Sequence, residues 1–134
     1  DISSTLATSI SQRLVRKICP KCAIKREFTD REKEIITSTL KKYGVEADLS
    51  DKFTYTPSGC EFCNGSGYYD RIGIFEVLSL TDEIKELIIN GASSLEIRQL
   101  AMQQDYKPLA VDGINKIING ITTLEEVNKK IILY

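Results

Sequence analysis

The 134-residue chain has no histidine. Without an imidazole, the usual Ser–His and Cys–His nucleophile pairs cannot be built, and any metal site must use thiolates and carboxylates. A basic excess is also missing, because 18 basic residues face 19 acidic ones for a net charge of −1. Domains that bind nucleic acid draw most of their affinity from neutralised phosphates, so a nucleic-acid partner is not expected. No apolar run approaches the roughly 20 residues of a membrane-spanning helix, and no secretory signal pattern is present. Repeats, low-complexity tracts and long flexible linkers are absent too. The chain starts on Asp1 rather than Met, in a stretch that reads as mid-protein, which predicts a fragment of something longer.

What is present is a globular composition, 42% hydrophobic and 28% charged, in a chain long enough to bury about two-thirds of its unfolded surface. Residues 3–17 space Leu6, Ile10 and Leu14 by four, with Val15 and Ile18 at the edge, which predicts an amphipathic helix. Thr29 and Glu32 form a capping-box pattern before a second helix that stops at Gly44. "FTYT" (53–56) alternates as a short strand, and Ile72, Ile74, Phe75 and Val77 make "YYDRIGIFEVLSL" β-rich. From residue 81 the punctuation is helical. Thr81 caps one helix, Ser93 with Glu96 a second, Pro108 opens a third, and Thr122 with Glu125 precedes a fourth. The fold class is therefore α+β, mostly α. A helix leads into a small tetracysteine module with short antiparallel strands, followed by a four-helix C-terminal subdomain.

The four cysteines stand as Cys19-Pro-Lys-Cys22 and Cys60-Glu-Phe-Cys63, separated by 37 residues. A two-residue gap lets both thiolates of a knuckle face one ion, and two knuckles make the closed Cys₄ site of structural zinc. Catalytic zinc would need an open position, which four cysteines do not leave. Competing readings are a disulfide pair, a redox dithiol, and the Cys-x-x-Cys-x-Gly-x-Gly repeat of J-domain co-chaperones, which occurs once here where those proteins use four. The centre would carry a charge of about −2. Arg13, Arg16, Lys17, Lys21, Lys25, Arg26 and Arg71 are near enough in sequence to offset it. Tyr68, Tyr69 and Phe75 are expected to pack over the knuckle, the alternative being interface anchors. Glu76 is expected to pair with Arg71, and Glu125 and Glu126 to serve as helix-capping carboxylates.

Three stretches together resemble the C-terminal part of the secretion-superfamily motor ATPases that serve type IV pilus assembly and type II secretion. They are "QRLVRKICPKC" (12–22), "GCEFCNGSGYYDRIGIFEVL" (59–78) and "DGINKIINGITTLEEV" (112–127), in family order. The resemblance implies that residues 1–18 are the terminal helix of an ATPase core. Residues 19–78 would be a zinc-binding subdomain with Cys19, Cys22, Cys60 and Cys63 as ligands, and 79–134 a C-terminal helical subdomain. It implies a parent that is a homo-hexameric, ATP- and Mg²⁺-dependent motor, cytoplasmic and peripheral to the inner membrane. Its partners would be the other subunits and inner-membrane platform proteins. Retraction motors of this superfamily generally lack the cysteines, so an assembly or secretion motor is implied. No Gly-x-x-x-x-Gly-Lys-[Ser/Thr] loop occurs in these 134 residues, so the chain alone is not expected to hydrolyse ATP. The alternative is an independent zinc-ribbon adaptor for nucleic acid or protein.

Overall fold

Two antiparallel ribbons are joined by the segments that carry the cysteines. The computed structural model describes residues 5–104, 106–131 and 133, with the side chains of 5–10 outside the description. Strand β1 (Thr5–Ile18) pairs along its length with β4 (Tyr68–Thr81), from Thr5 opposite Thr81 to Ile18 opposite Tyr68. Between them the chain makes an excursion through β2 (Ala23–Glu27), helix α1 (Asp30–Lys42) and β3 (Phe53–Pro57), and β2 pairs with β3. The first cysteine pair lies in the β1–β2 link and the second in the β3–β4 link. Both knuckles therefore sit where one ribbon passes into the other.

The expected helix over 3–17 is a strand wherever it is described. A spacing of four fits one face of a helix, but it is also an even number and fits one face of a strand. Leu6 and Ile10 lie outside the described side chains, and Leu14 is 47% exposed while its neighbour Val15 is 1% exposed. At the described end of β1 the buried residues are thus Val15 and Ile18, expected only at the edge of the stripe, while Leu14 of the stripe itself faces out. Among the described residues strand and helix are close to balance, so the fold is mixed rather than mostly α.

Elsewhere the capping chemistry sets the helices. Thr29 and Glu32 form the reciprocal box that starts α1, and Ser93 and Glu96 do the same for α3 (Ser94–Gln103). Thr81 caps α2 (Asp82–Ile89), and Pro108 is the N-cap of α4 (Leu109–Ile118). The last helix, α5 (Leu124–Asn128), begins one residue later than expected. Thr123, not Thr122, accepts the capping hydrogen bond, and its donor is the Glu126 N–H. The Thr122 hydroxyl instead donates to the Arg16 carbonyl at 2.8 Å.

One buried cluster joins Val15 and Ile74 of the ribbon with Phe28, Ile36, Leu40 and Leu49 of the excursion and Ile114, Ile117 and Val127 of the tail. Helix α4 packs on β4 and α1 and also touches α5, while α2 and α3 pack on each other and α2 on β4. Of the tail helices, α2, α4 and α5 thus each pack on the ribbon, and α3 packs on α2.

Candidate metal centre

The four Sγ atoms lie within 4.8 Å of one another, a group able to hold a metal ion. Separations of 3.7 Å for Cys19–Cys60, 3.8 Å for Cys22–Cys63 and 3.7 Å for Cys60–Cys63 are far beyond a sulfur–sulfur bond. All four cysteines are free thiols. Zinc–thiolate bonds of about 2.3 Å in a tetrahedron place sulfurs about 3.8 Å apart, so the donor set fits that ion. The remaining readings of the spacing do not suit this arrangement: a redox pair needs two sulfurs, and here four converge.

Backbone N–H groups supply the polar surroundings. Cys63 Sγ accepts from the N–H of Cys60 at 3.2 Å and of Gly67 at 3.1 Å, and Cys22 Sγ accepts from Gly59 at 3.2 Å. Lys21 N–H reaches Cys19 Sγ at 3.4 Å. Such bonds orient metal-bound thiolates and spread their charge. They also separate the thiols electrostatically. Burial pushes Cys63 up, but the N–H donors from Cys60 and Gly67 outweigh it and pull it down to about 6. For Cys60 the Cys63 interaction through the backbone lowers the value, yet burial and the neighbouring thiols carry it up to about 11.

The glycines of the second knuckle are conformational requirements. Gly67 has φ +82°, and a Cβ there would run into the Pro57 ring, while Gly59 has φ +98° and a Cβ would stand 2.7 Å from the Gly65 carbonyl oxygen. The close approach brings Gly67 O to the N–H of Cys19 at 3.0 Å, joining the two knuckles through the backbone.

Two of the basic residues near the cysteines in sequence, Arg26 and Arg16, are engaged by carboxylates. Arg26 binds both oxygens of Glu32 at 2.8 and 2.9 Å, tying β2 to the start of α1. Arg16 donates its backbone N–H and two side-chain N–H groups to Glu126, at 2.9–3.0 Å. Arg16 also lies over the Tyr68 ring at 4.2 Å, and Tyr68 OH meets Thr123 Oγ1 at 2.9 Å. Tyr69 stacks on Phe62 of the knuckle at 4.3 Å, as expected, whereas Phe75 lines a groove with Val77, Met102 and Tyr106 away from it. Glu76 does not pair with Arg71. Five residues apart on one strand, the two point to opposite faces. Glu76 accepts instead from Tyr106 OH and the Leu109 N–H.

Glu126 was expected as an ordinary capping carboxylate, and sequence reasoning missed its partner. It is 3% exposed. Burial pushes its carboxyl up, but the bonds from Arg16 outweigh this and hold it below the usual carboxylate range. The available signal was an acidic residue one position from Val127 on a short helix that must face β1.

The Arg26–Glu32 pair carries a pH dependence of known sign. The Arg26 hydrogen bonds hold the Glu32 carboxyl below its ordinary value, against burial and with help from the Thr29 N–H. A lowered folded pKa gives stability that is complete above the unfolded value of about 4.3 and is lost as pH falls through the folded one. Glu32→Gln is expected to destabilise by about 1 kcal/mol at pH 7, solvent screening at the partly exposed guanidinium limiting the effect. Urea unfolding of both proteins should show this difference shrinking below about pH 4. A difference constant down to pH 3 would contradict the pairing.

The model of a family described as "Type II/IV secretion system protein" matches residues 1–129. A "Type IV pilus assembly ATPase PilB" of Thermus thermophilus is 40% identical over 128 residues, covering 95% of this chain and 14% of the relative. The protein of the same name from Myxococcus xanthus is 39% identical over 127 residues, covering 94% and 21%. A "Type II secretion system protein E" of Aeromonas hydrophila is 36% identical over 127 residues, covering 94% and 23%. The chain thus spans less than a quarter of the length of these relatives. Among the described residues no helix is long and apolar enough to cross a membrane. With the family model matched along nearly its whole length, the chain belongs to the type II/IV secretion system protein family.

Proposed function

We propose that the chain is the zinc-stapled C-terminal region of an ATP-hydrolysing motor that drives type IV pilus assembly or type II protein secretion. The observation that carries this reading is the convergence of four thiols in a chain whose relatives are named as pilus-assembly ATPases and secretion proteins. Cys19, Cys22, Cys60 and Cys63 would hold one Zn²⁺, whose part is structural. It would fix the junction of the two ribbons, where both knuckles lie. Residues 1–18 would be the end of the ATPase core, with the strand Thr5–Ile18 within them, 19–78 the tetracysteine subdomain, and 79–134 the C-terminal helical subdomain. ATP and Mg²⁺ would bind only in the parent's preceding region, so this piece is not itself an enzyme. The parent would work as a homo-hexamer at the cytoplasmic face of the inner membrane, against the platform proteins of the machine. The even charge balance offers nothing for nucleic acid.

The test compares the 134-residue chain with the longer protein that contains it. The chain alone is expected to turn over no ATP above background, and the longer protein to hydrolyse ATP and to run as a hexamer by light scattering. A flanking sequence without a phosphate-binding loop, or ATP turnover by the isolated chain, contradicts the reading.

A further inference from the structure

We propose that Arg16, Tyr68, Thr123 and Glu126 form a latch through which metal binding at the cysteines and docking of the C-terminal end on β1 stabilise each other. The proposal rests on the metal reading above and adds the residues that transmit it.

Two short routes lead from the sulfurs to residues 121–126. The first runs backwards from Cys19. Its neighbour Ile18 donates N–H to the Ile121 carbonyl at 2.9 Å, and Arg16 O accepts from Thr122 Oγ1 at 2.8 Å. The second runs forwards from Cys63. Its Sγ accepts from Gly67 N–H at 3.1 Å, and the next residue, Tyr68, reaches Thr123 Oγ1 at 2.9 Å. The routes close on each other, because Arg16 lies over the Tyr68 ring and binds both oxygens of Glu126. Glu126 and Thr123 are both buried, so the latch is dry on its tail side.

The arrangement gives a physical coupling rather than proximity alone. If the metal fixes Gly67 against Cys63 and Cys19, Tyr68 is held where Arg16 and Thr123 need it. When the latch is shut, Tyr68 and Ile18 are held where the knuckles need them. Thermodynamic linkage makes the two effects equal in size. Glu76, which fastens Tyr106 and the start of α4 to β4, belongs to neither route and serves as the control.

The test is zinc affinity of the full 134-residue chain, by competition with a chromophoric chelator under reducing conditions. Glu126→Gln keeps the volume and removes the charge. It is expected to weaken zinc binding about tenfold, toward the low end of the coupling found between linked sites. Tyr68→Phe keeps the ring beneath Arg16 and removes the bond to Thr123, with a loss of about threefold expected. Glu76→Gln is expected to change affinity by less than about twofold, since distant sites act independently. Removing zinc from the wild-type chain should raise amide exchange across 121–131 more than across 82–89 and 94–103. Wild-type-like affinity in both latch variants overturns the latch while leaving the metal reading intact. Equal weakening by Glu76→Gln overturns it as well, because the effect is then global. A wild-type chain that binds no zinc overturns the metal reading and the latch with it.

Discussion

Cys19→Ser is expected to strip the chain of its metal and abolish most of its cooperative unfolding transition. Cys19 is fully buried and joins both knuckles, with its sulfur 3.7 Å from Cys60 and its N–H on Gly67. A serine oxygen is a shorter and far weaker zinc ligand, and three thiolates cannot close the tetrahedron. Structural zinc contributes roughly 10 kcal/mol or more in comparable small sites. That is the size of the whole stability of an ordinary domain, about 5–15 kcal/mol. The loss should be largest where the fold has least else to hold it. The β2–β3 ribbon has two strands only, and such a pair is marginal alone. Amide exchange at 23–27 and 53–57 should lose protection before α4, whose Ile114 and Ile117 are fully buried. A variant that unfolds at the wild-type urea midpoint would show that the centre stabilises nothing.

The second large effect is expected at Gly67. Its φ of +82° strains any L-residue, and a Cβ would collide with the Pro57 ring and stand 3.0 Å from the Pro57 carbonyl carbon. Neither obstacle is the end of a flexible side chain. Left-handed strain of about 1 kcal/mol and overpacking of about 2 kcal/mol combine to about 3 kcal/mol for Gly67→Ala. Two residues earlier, Gly65 has φ +81° but nothing within 4 Å of the added Cβ. Gly65→Ala should therefore cost only the strain, about 1 kcal/mol. Equal losses in the two variants, measured by urea unfolding with zinc present, would show that the contact with Pro57 is not rigid.

The contrast between these glycines marks what the residues disclose and what they conceal. Both follow Cys63 as a repeat-like pattern, and only the fold shows that β3 ends against one of them. The helix starts were legible at Thr29, Thr81 and Ser93, because a capping hydrogen bond is a local interaction between residues three apart. The cysteine grouping was legible because the paired spacing leaves few other uses for four thiols. The strand over 5–18 was not, since a spacing of four suits both periods and the partner residues lie fifty or more positions away. A still longer separation hid the Arg16–Glu126 latch, whose residues are 110 positions apart. Thr122 and Thr123 are chemically alike, and only the position of β1 decides which of them caps α5.

The central claim is that four thiolates close on one zinc ion as a structural staple. Metal content and free-thiol titration of the chain purified under reducing conditions test it together. One zinc per chain is expected, with all four cysteines unreactive towards a thiol reagent until a strong chelator is added, whereupon all four react. Metal well below one per chain, with thiols that titrate freely from the start, would contradict it.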